Sequence, residues 1–218
     1  MTVSAVLFDI DGTLVDSNYL HVDAWAEGFR QAGVTVPSWR IHRMIGADSS
    51  QLLEELAGDQ PEEVQQRAKA INTETYQQLI PKLRVLPGAR EIVAELTSRG
   101  IRVVLATSAP EEELGALLEV LDLDESQIEV TGAQDVETAK PEPDIIAVAL
   151  ERGGVDASEA IMVGDAIWDA IAAKRAGVRT IGVLSGGTGP DELREAGAIA
   201  VYNDVSHLLD HLDEVLAH

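Results

Sequence analysis

The chain predicts an α/β fold: a doubly wound parallel sheet with an inserted α-helical cap. Three observations carry that expectation. Short apolar runs rich in β-branched residues alternate with helical patterns at both ends of the chain. Residues 17–80 carry helical periodicity and no strand signal. Most of the apolar runs end in acidic, hydroxyl or glycine residues, where an open parallel sheet collects its ligands.

Strands buried on both faces read as unbroken apolar runs, and the first is VSAVLF at 3–8. A helical region follows. Ser17 is a plausible N-cap, Leu20, Ala24, Trp25 and Phe29 recur at helical spacing, and Gly33 ends the helix. Pro61 followed by two glutamates opens another helix. From Pro87-Gly88 the alternation resumes, with a helix at 89–99 ending at Gly100 and the strand IRVVLAT at 101–107. Pro110 and three glutamates start the next helix, acids there favouring the positive end of the dipole. The weaker strand QIEVTG (127–132) precedes a helix at 143–152. The strand AIMVGD (160–165), a helix at 166–176 closed by Gly177 and the strand VRTIGVL (178–184) come next. Five strands separated by helices imply a parallel sheet covered on both faces. A last short strand, AIAVYND at 198–204, precedes a C-terminal helix. The expected division is an α/β core, 1–16 plus 81–218, and a helical cap, 17–80.

At 218 residues the chain can bury a full core. It has no cysteine, which rules out disulfides and thiolate metal sites and agrees with a reducing compartment. The start, MTVSAVLFDIDGT, lacks a basic segment and its apolar run is broken by Asp9, so it does not read as a signal peptide. No apolar stretch nears the roughly 20 residues that span a bilayer. A soluble, cytoplasmic protein is expected. Its formal charge of −22 repels nucleic acid and anionic lipid, so neither is an expected partner. The same field repels phosphorylated molecules at long range, so a phosphate site would need its own local positive charge.

The polar residues at the strand ends are therefore the ones to inspect. They are Asp9-Ile10-Asp11-Gly12-Thr13 after the first strand and Thr107-Ser108 after the second. Ala139-Lys140-Pro141 lies in the loop after the third, and Gly164-Asp165 ends the fourth, with Asp169 one helical turn on. Carboxylates drawn together repel unless a cation holds them. Hard oxygen donors without thiolate or clustered imidazole point to Mg²⁺. One such ion beside a lysine is a device for spreading charge in phosphoryl transfer.

FDIDGT, LATSA, AKPEPD and VGDAIWDAIAAKRAG, in that order, resemble the haloacid dehalogenase-like hydrolase superfamily. The helical insert directly after the first motif looks like its phosphoglycolate phosphatase and β-phosphoglucomutase branch. The resemblance spans essentially the whole chain and implies a Rossmann-like core. It makes Asp9 the nucleophile that forms an aspartyl-phosphate and Asp11 the acid that protonates the leaving oxygen and then deprotonates water. It assigns Mg²⁺ to Asp9, the backbone carbonyl of Asp11 and Asp165, with Asp169 supporting that shell. Thr107 and Lys140 would hold the phosphoryl oxygens, helped by the amides of Ser108 and Ile10. Dehalogenases and phosphonate-cleaving relatives lack the second acid, so Asp11 argues for C–O–P chemistry.

In the cap, His21 matches a histidine that mutase relatives place beside the acid/base aspartate. Arg43 and Gly46 resemble the substrate-specificity segment. Ser49 departs from the mutase pattern, which has an arginine there for the distal phosphate. The run Ser185-Gly-Gly-Thr-Gly189 lacks the lysine of a nucleotide-binding loop and reads as a family loop near the site. His207 and His211 have no third ligand and read as a solvated helix face. The expected function is a Mg²⁺-dependent phosphatase acting on a small phosphorylated metabolite. The alternatives are a sugar-phosphate mutase and, from another class, a non-catalytic metabolite-binding protein.

Overall fold

The computed structural model describes residues 3–124, 126, 128–136 and 140–217. Gln127, where the third strand was expected to start, and Ala139 of the lysine motif lie outside the described residues.

Six strands form one parallel sheet. They are β1 (Ala5–Phe8), β4 (Arg102–Ala106), β5 (Ile128–Thr131), β6 (Ala160–Gly164), β7 (Arg179–Val183) and β8 (Ala198–Tyr202), in the order β5-β4-β1-β6-β7-β8. The last apolar run of the sequence thus joins as an edge strand. The two-residue period explains why β1 is apolar throughout. Val6 and Phe8 face one side, where Val103, Leu105, Ile161 and Val163 pack under Ile92, Leu96, Leu114 and Leu117. Leu7 faces the other, against Val104, Met162, Ile145, Ile146 and Ala149. Helices α5 (Ala89–Ser98) and α6 (Glu111–Leu121) therefore cover the first face, and α7 (Asp144–Gly153) and α8 (Ile167–Arg175) the second.

The chain builds outward from β1 through β4 to β5, then restarts on the other side of β1 with β6. The loops after β1, β4 and β6 consequently open into one crevice at the carboxyl ends of neighbouring strands.

Between β1 and the rest of the sheet lie four helices: α1 (Asn18–Ala32), α2 (Ser38–His42), α3 (Ser49–Ala57) and α4 (Glu62–Leu79). They pack around their own apolar cluster, with Trp25, Phe29, Ile41, Leu52 and Leu56 at its centre. Gly33 closes α1 in the left-handed conformation at φ 84°. A short antiparallel ribbon, β2 (Val15–Asp16) with β3 (Arg84–Val85), ties the two ends of this helical segment together. The sequence pattern gives no sign of that ribbon, because two residues are too few to show a period.

Among the described residues no helix is long and apolar enough to cross a membrane.

Candidate active site

Asp9 directly follows β1 and is buried; its backbone N–H donates to the Val163 carbonyl of β6 at 2.9 Å. Ile10 turns into the core beneath the sheet, while Asp9 and Asp11 both line a cavity of about 210 Å³ between the sheet and the four helices. Lys140, only 1% exposed, brings its ammonium to Asp9 Oδ1 at 2.6 Å and to Asp169 Oδ1 at 2.7 Å. It also donates to the Ala106 carbonyl at the end of β4, at 2.9 Å. Burial would lower the pKa of this lysine, but the charges of Asp169 and Asp9 outweigh it and hold the ammonium well above its ordinary range.

One oxygen each from Asp9, Asp165 and Asp169 lies within 4.8 Å of the others. Asp165 is anchored by neutral donors, Thr13 Oγ1 at 2.9 Å on one oxygen and Asn18 Nδ2 at 2.8 Å on the other. Asp169 Oδ2 accepts from the Ala166 N–H at 3.1 Å, which fixes it over the start of α8. Glycine leaves the room for this cluster: a Cβ at Gly186 would overlap the Asp165 carboxylate, and one at Gly164 the Asp169 carboxylate. Burial, then the charge of Asp169, pushes Asp165 up to about 7. Burial also raises Asp9, against the opposing pull of Lys140 and with a further push from Asp169, Asp165 and Asp11. Three clustered buried carboxylates, with oxygen donors only, fit a hard divalent cation.

Asp11 has a different environment. Its Oδ1 accepts from Ser17 Oγ at 2.6 Å and lies 3.3 Å from His21 Nε2. Ser17, expected as a capping residue, makes no side-chain cap bond; its hydroxyl turns to Asp11 instead. Burial alone would raise Asp11, yet the hydrogen bond and charge of His21 and the Ser17 bond hold it below the usual carboxylate range. His21 is conversely raised, burial being outweighed by Asp11 and by the charge of Glu113. The imidazole stacks on Tyr76 of α4, centroids 4.0 Å apart.

Thr107 and Ser108, after β4, line the same cavity. Thr107 Oγ1 accepts from the Ala109 N–H at 3.0 Å, and Ser108 Oγ is buried without a partner. Gly46 and Ser49 line it from the helical side. Arg43 does not. Its guanidinium reaches outward to Glu192 of α9 (Pro190–Ala196) at 2.6 Å, so the expected cap contact with substrate has no geometric support. The segment joining α2 to α3 rests on the core at three further points: His42 Nε2 to the Gly186 carbonyl (2.8 Å), Trp168 Nε1 to the Arg43 carbonyl (3.2 Å) and the Asp48 N–H to the Lys140 carbonyl (3.3 Å). The loop at 185–189 is thus part of the site, with Ser185 Oγ donating to the Gly12 carbonyl at 2.6 Å.

Thr13, Asn18, Lys69, Asn72 and Glu113 also stand in or against the site, and sequence reasoning assigned them no role there. Thr13 is the last residue of the first motif; the others sit on helices where a polar side chain is the ordinary solvent-facing residue.

Residues 6–183 match the family model described as haloacid dehalogenase-like hydrolase. The chain is 31% identical over 218 residues to a phosphoglycolate phosphatase of Rhodospirillum rubrum, covering 95% of this chain and 90% of that protein. It is 30% identical over 217 residues to a phosphorylated carbohydrates phosphatase of Thermotoga maritima, covering 98% of this chain and all of the other. The crystal structure of a hydrolase from Pseudomonas syringae superposes with a TM-score of 0.92 at 36% identity, covering 97% of this chain and 99% of that one. A match over most of the chain, with the motif residues gathered at one crevice, makes it a member of the haloacid dehalogenase-like hydrolase family.

Proposed function

We propose that the chain is a Mg²⁺-dependent phosphatase that removes the phosphoryl group from a small phosphorylated metabolite through Asp9. The observation that carries this reading is the position of Asp9: on the cavity wall, joined to Lys140, and within reach of Asp165 and Asp169. The phosphatase names of the relatives from Rhodospirillum rubrum and Thermotoga maritima support the same class.

Asp9, Asp165 and the backbone carbonyl of Asp11 would hold Mg²⁺, with Asp169 supporting. The ion would supply positive charge against which an anionic carboxylate can approach an anionic phosphoryl group. Lys140 engages Asp9 Oδ1, so the other oxygen is left to attack phosphorus. The Asp9–phosphorus bond forms as the ester P–O bond breaks, and Thr107 and Ser108 receive the phosphoryl oxygens. The leaving oxygen takes a proton from Asp11. Because Asp11 is held ionised while His21 is raised, that proton resides on the imidazole and passes through the pair. Asp11 then takes a proton from water, whose oxygen displaces Asp9 and releases phosphate.

Residues 17–80 act in this reading as a cap that closes over the substrate, with hinges near 14–17 and 80–87. The contacts of His42, Arg43 and Asp48 with the core correspond to the closed arrangement.

A second reading, a sugar-phosphate mutase, needs a second cation in the cap, and Lys69 lines the cavity. Phosphate release from a panel of phosphorylated metabolites, with Mg²⁺ and an Asp9→Asn blank, tests both. Release that requires Mg²⁺ and Asp9 and no bisphosphate primer is expected. Turnover that survives exhaustive chelation or the Asp9→Asn change overturns the mechanism. Turnover only with a primer selects the mutase, and no turnover at all selects the binding protein.

A further inference from the structure

We propose that Asn18, the first residue of α1, is a positioning residue for Asp165, and that it makes Mg²⁺ bind more tightly when the inserted helices are seated on the core. The proposal rests on the Mg²⁺ part of the reading above and gives a role to a residue outside its motifs.

Asn18 is 4% exposed. Its Nδ2 donates to Asp165 Oδ2 at 2.8 Å and to the Gly186 carbonyl at 3.3 Å. A carbonyl can only accept, so the orientation of the amide is fixed, and Oδ1 is left buried without a partner. Buried polar atoms in native proteins nearly always have one. A leucine of the same shape would avoid that orphan, so what the amide offers this position is its donor. Two glycines from separate loops leave room for it. A Cβ at Gly12 would overlap Asn18 Nδ2, and one at Gly186 would overlap both Asn18 Nδ2 and the Asp165 carboxylate.

The two hydrogen bonds on Asp165 come from different parts of the molecule. Thr13 Oγ1 serves one oxygen at 2.9 Å from the turn after β1, where its own N–H is tied to the Ile10 carbonyl at 3.2 Å. Asn18 serves the other oxygen and moves with α1. Its neighbour Ser17 holds Asp11 at 2.6 Å, so the start of α1 grips an acid from each of two strand ends. The Gly186 carbonyl also accepts from His42 Nε2 of α2 at 2.8 Å, which brings two of the inserted helices onto one core atom. Unseating α1 would therefore withdraw one hydrogen bond from Asp165 and leave that of Thr13. Partners behind a metal ligand orient it, and losing one weakens metal binding by about 10–100-fold. The coupling is reciprocal: an ion that binds more tightly with Asn18 in place holds α1 down by the same factor.

The test compares Asn18→Leu with Thr13→Val on the full chain. Each change keeps the approximate shape of the side chain and removes one donor to Asp165. In calorimetric titrations with Mg²⁺, both variants should bind about tenfold or more weakly than the wild type. Hydrogen exchange separates them. Saturating Mg²⁺ should slow exchange of the α1 and α4 amides about tenfold in the wild type, the factor expected from the affinity that unseating loses. Thr13→Val at its own saturating Mg²⁺ should keep that slowing, and Asn18→Leu should lose it. Simple damage to Asp165 would treat the two variants alike. An Asn18→Leu affinity within about threefold of wild type, where about tenfold or more is expected, overturns the positioning role. Slowing that persists in Asn18→Leu overturns the coupling. Should that variant fail to fold by circular dichroism in chelator, the wild type decides: slowed α1 and α4 amides support the coupling, and unchanged ones overturn it. A wild type that takes up no Mg²⁺ overturns the Mg²⁺ reading itself.

Discussion

Replacing Lys140 by methionine keeps the length of the side chain and removes its charge. The ammonium donates to Asp9 at 2.6 Å and to the Ala106 carbonyl at 2.9 Å, and it forms an ion pair with Asp169 at 2.7 Å. Without it, two buried carboxylates face each other, with Asp165 within 4.8 Å, and no positive charge remains among them. Breaking a buried ion pair by removing one partner costs about 3–5 kcal/mol. For a chain of this size each kcal/mol moves Tm by about 2–4 °C, so a fall of roughly 6–20 °C is expected. The loss has a signature that lost packing would not have. Carboxylates deprived of a cation can take up a proton, so the fall should be larger at pH 8 than at pH 5. Magnesium should restore part of the difference at pH 8, because it supplies another cation to the same oxygens. Thermal melts of both proteins in chelator and in Mg²⁺, at the two pH values, read all of this. A fall of less than about 2 °C at pH 8, or one equal at both pH values, would refute the electrostatic account. Adding Asp9→Asn to Lys140→Met should recover stability, since it removes one of the orphaned charges.

Two further outcomes follow from the same cluster. Burial, aided by Asp169, lifts Asp165 to about 7, so the folded metal-free protein holds this proton more tightly than the unfolded chain does. Stability from this group is complete below about pH 4 and is lost as pH rises through about 7. Melts in chelator should thus show a declining contribution across that window, absent in Asp165→Asn and removed by saturating Mg²⁺; a contribution that grows with pH would contradict it. Gly186→Ala places a methyl group on the Asp165 carboxylate and should weaken Mg²⁺ binding by calorimetry about tenfold or more; unchanged affinity would show that Asp165 is not a ligand.

The parts of this site that could be read in the sequence are those the sheet itself builds. Asp9, Thr107 and Asp165 follow strands whose apolar runs are unmistakable, and topology alone brings those ends together. Lys140 and Asp169 stand out by lying in the loop after the third strand and one helical turn past the fourth, but their individual roles come from the family resemblance, since a loop lysine and a helix acid have no pattern of their own. The helical segment was legible as helices but not as a wall. Asn72 and Lys69 sit on an amphipathic helix, and their orientation depends on how α4 packs against α1, which periodicity does not specify. Arg43 illustrates the same gap from the other side. The motif around it suggested a substrate contact, while the fold gives its guanidinium to Glu192 on the core surface. Ser17 was read by the local rule for helix starts, and a nearby carboxylate outcompeted the backbone for its hydroxyl.

The spacing of the two aspartates also separates two kinds of electrostatics. Ile10 is fully buried in the core, so Asp9 and Asp11 are both left to the cavity. Gly12, at φ 73°, then turns the chain, and its N–H returns to the Val15 carbonyl at 2.8 Å. Asp11, at the head of that turn, meets Ser17 and His21 at the start of α1. Asp9 is tuned by burial and by core residues: Lys140, Asp169, Asp165 and Asp11. Asp11 is tuned by the first helix of the inserted segment and, through the His21–Tyr76 stack, by the last. Displacing those helices would strip Asp11 of His21 and Asp165 of Asn18, while Lys140 would stay on Asp9. The Asp9–Lys140 pair is thus built by the sheet and its loops, and the Asp11–His21 contact exists only while the helical segment is seated.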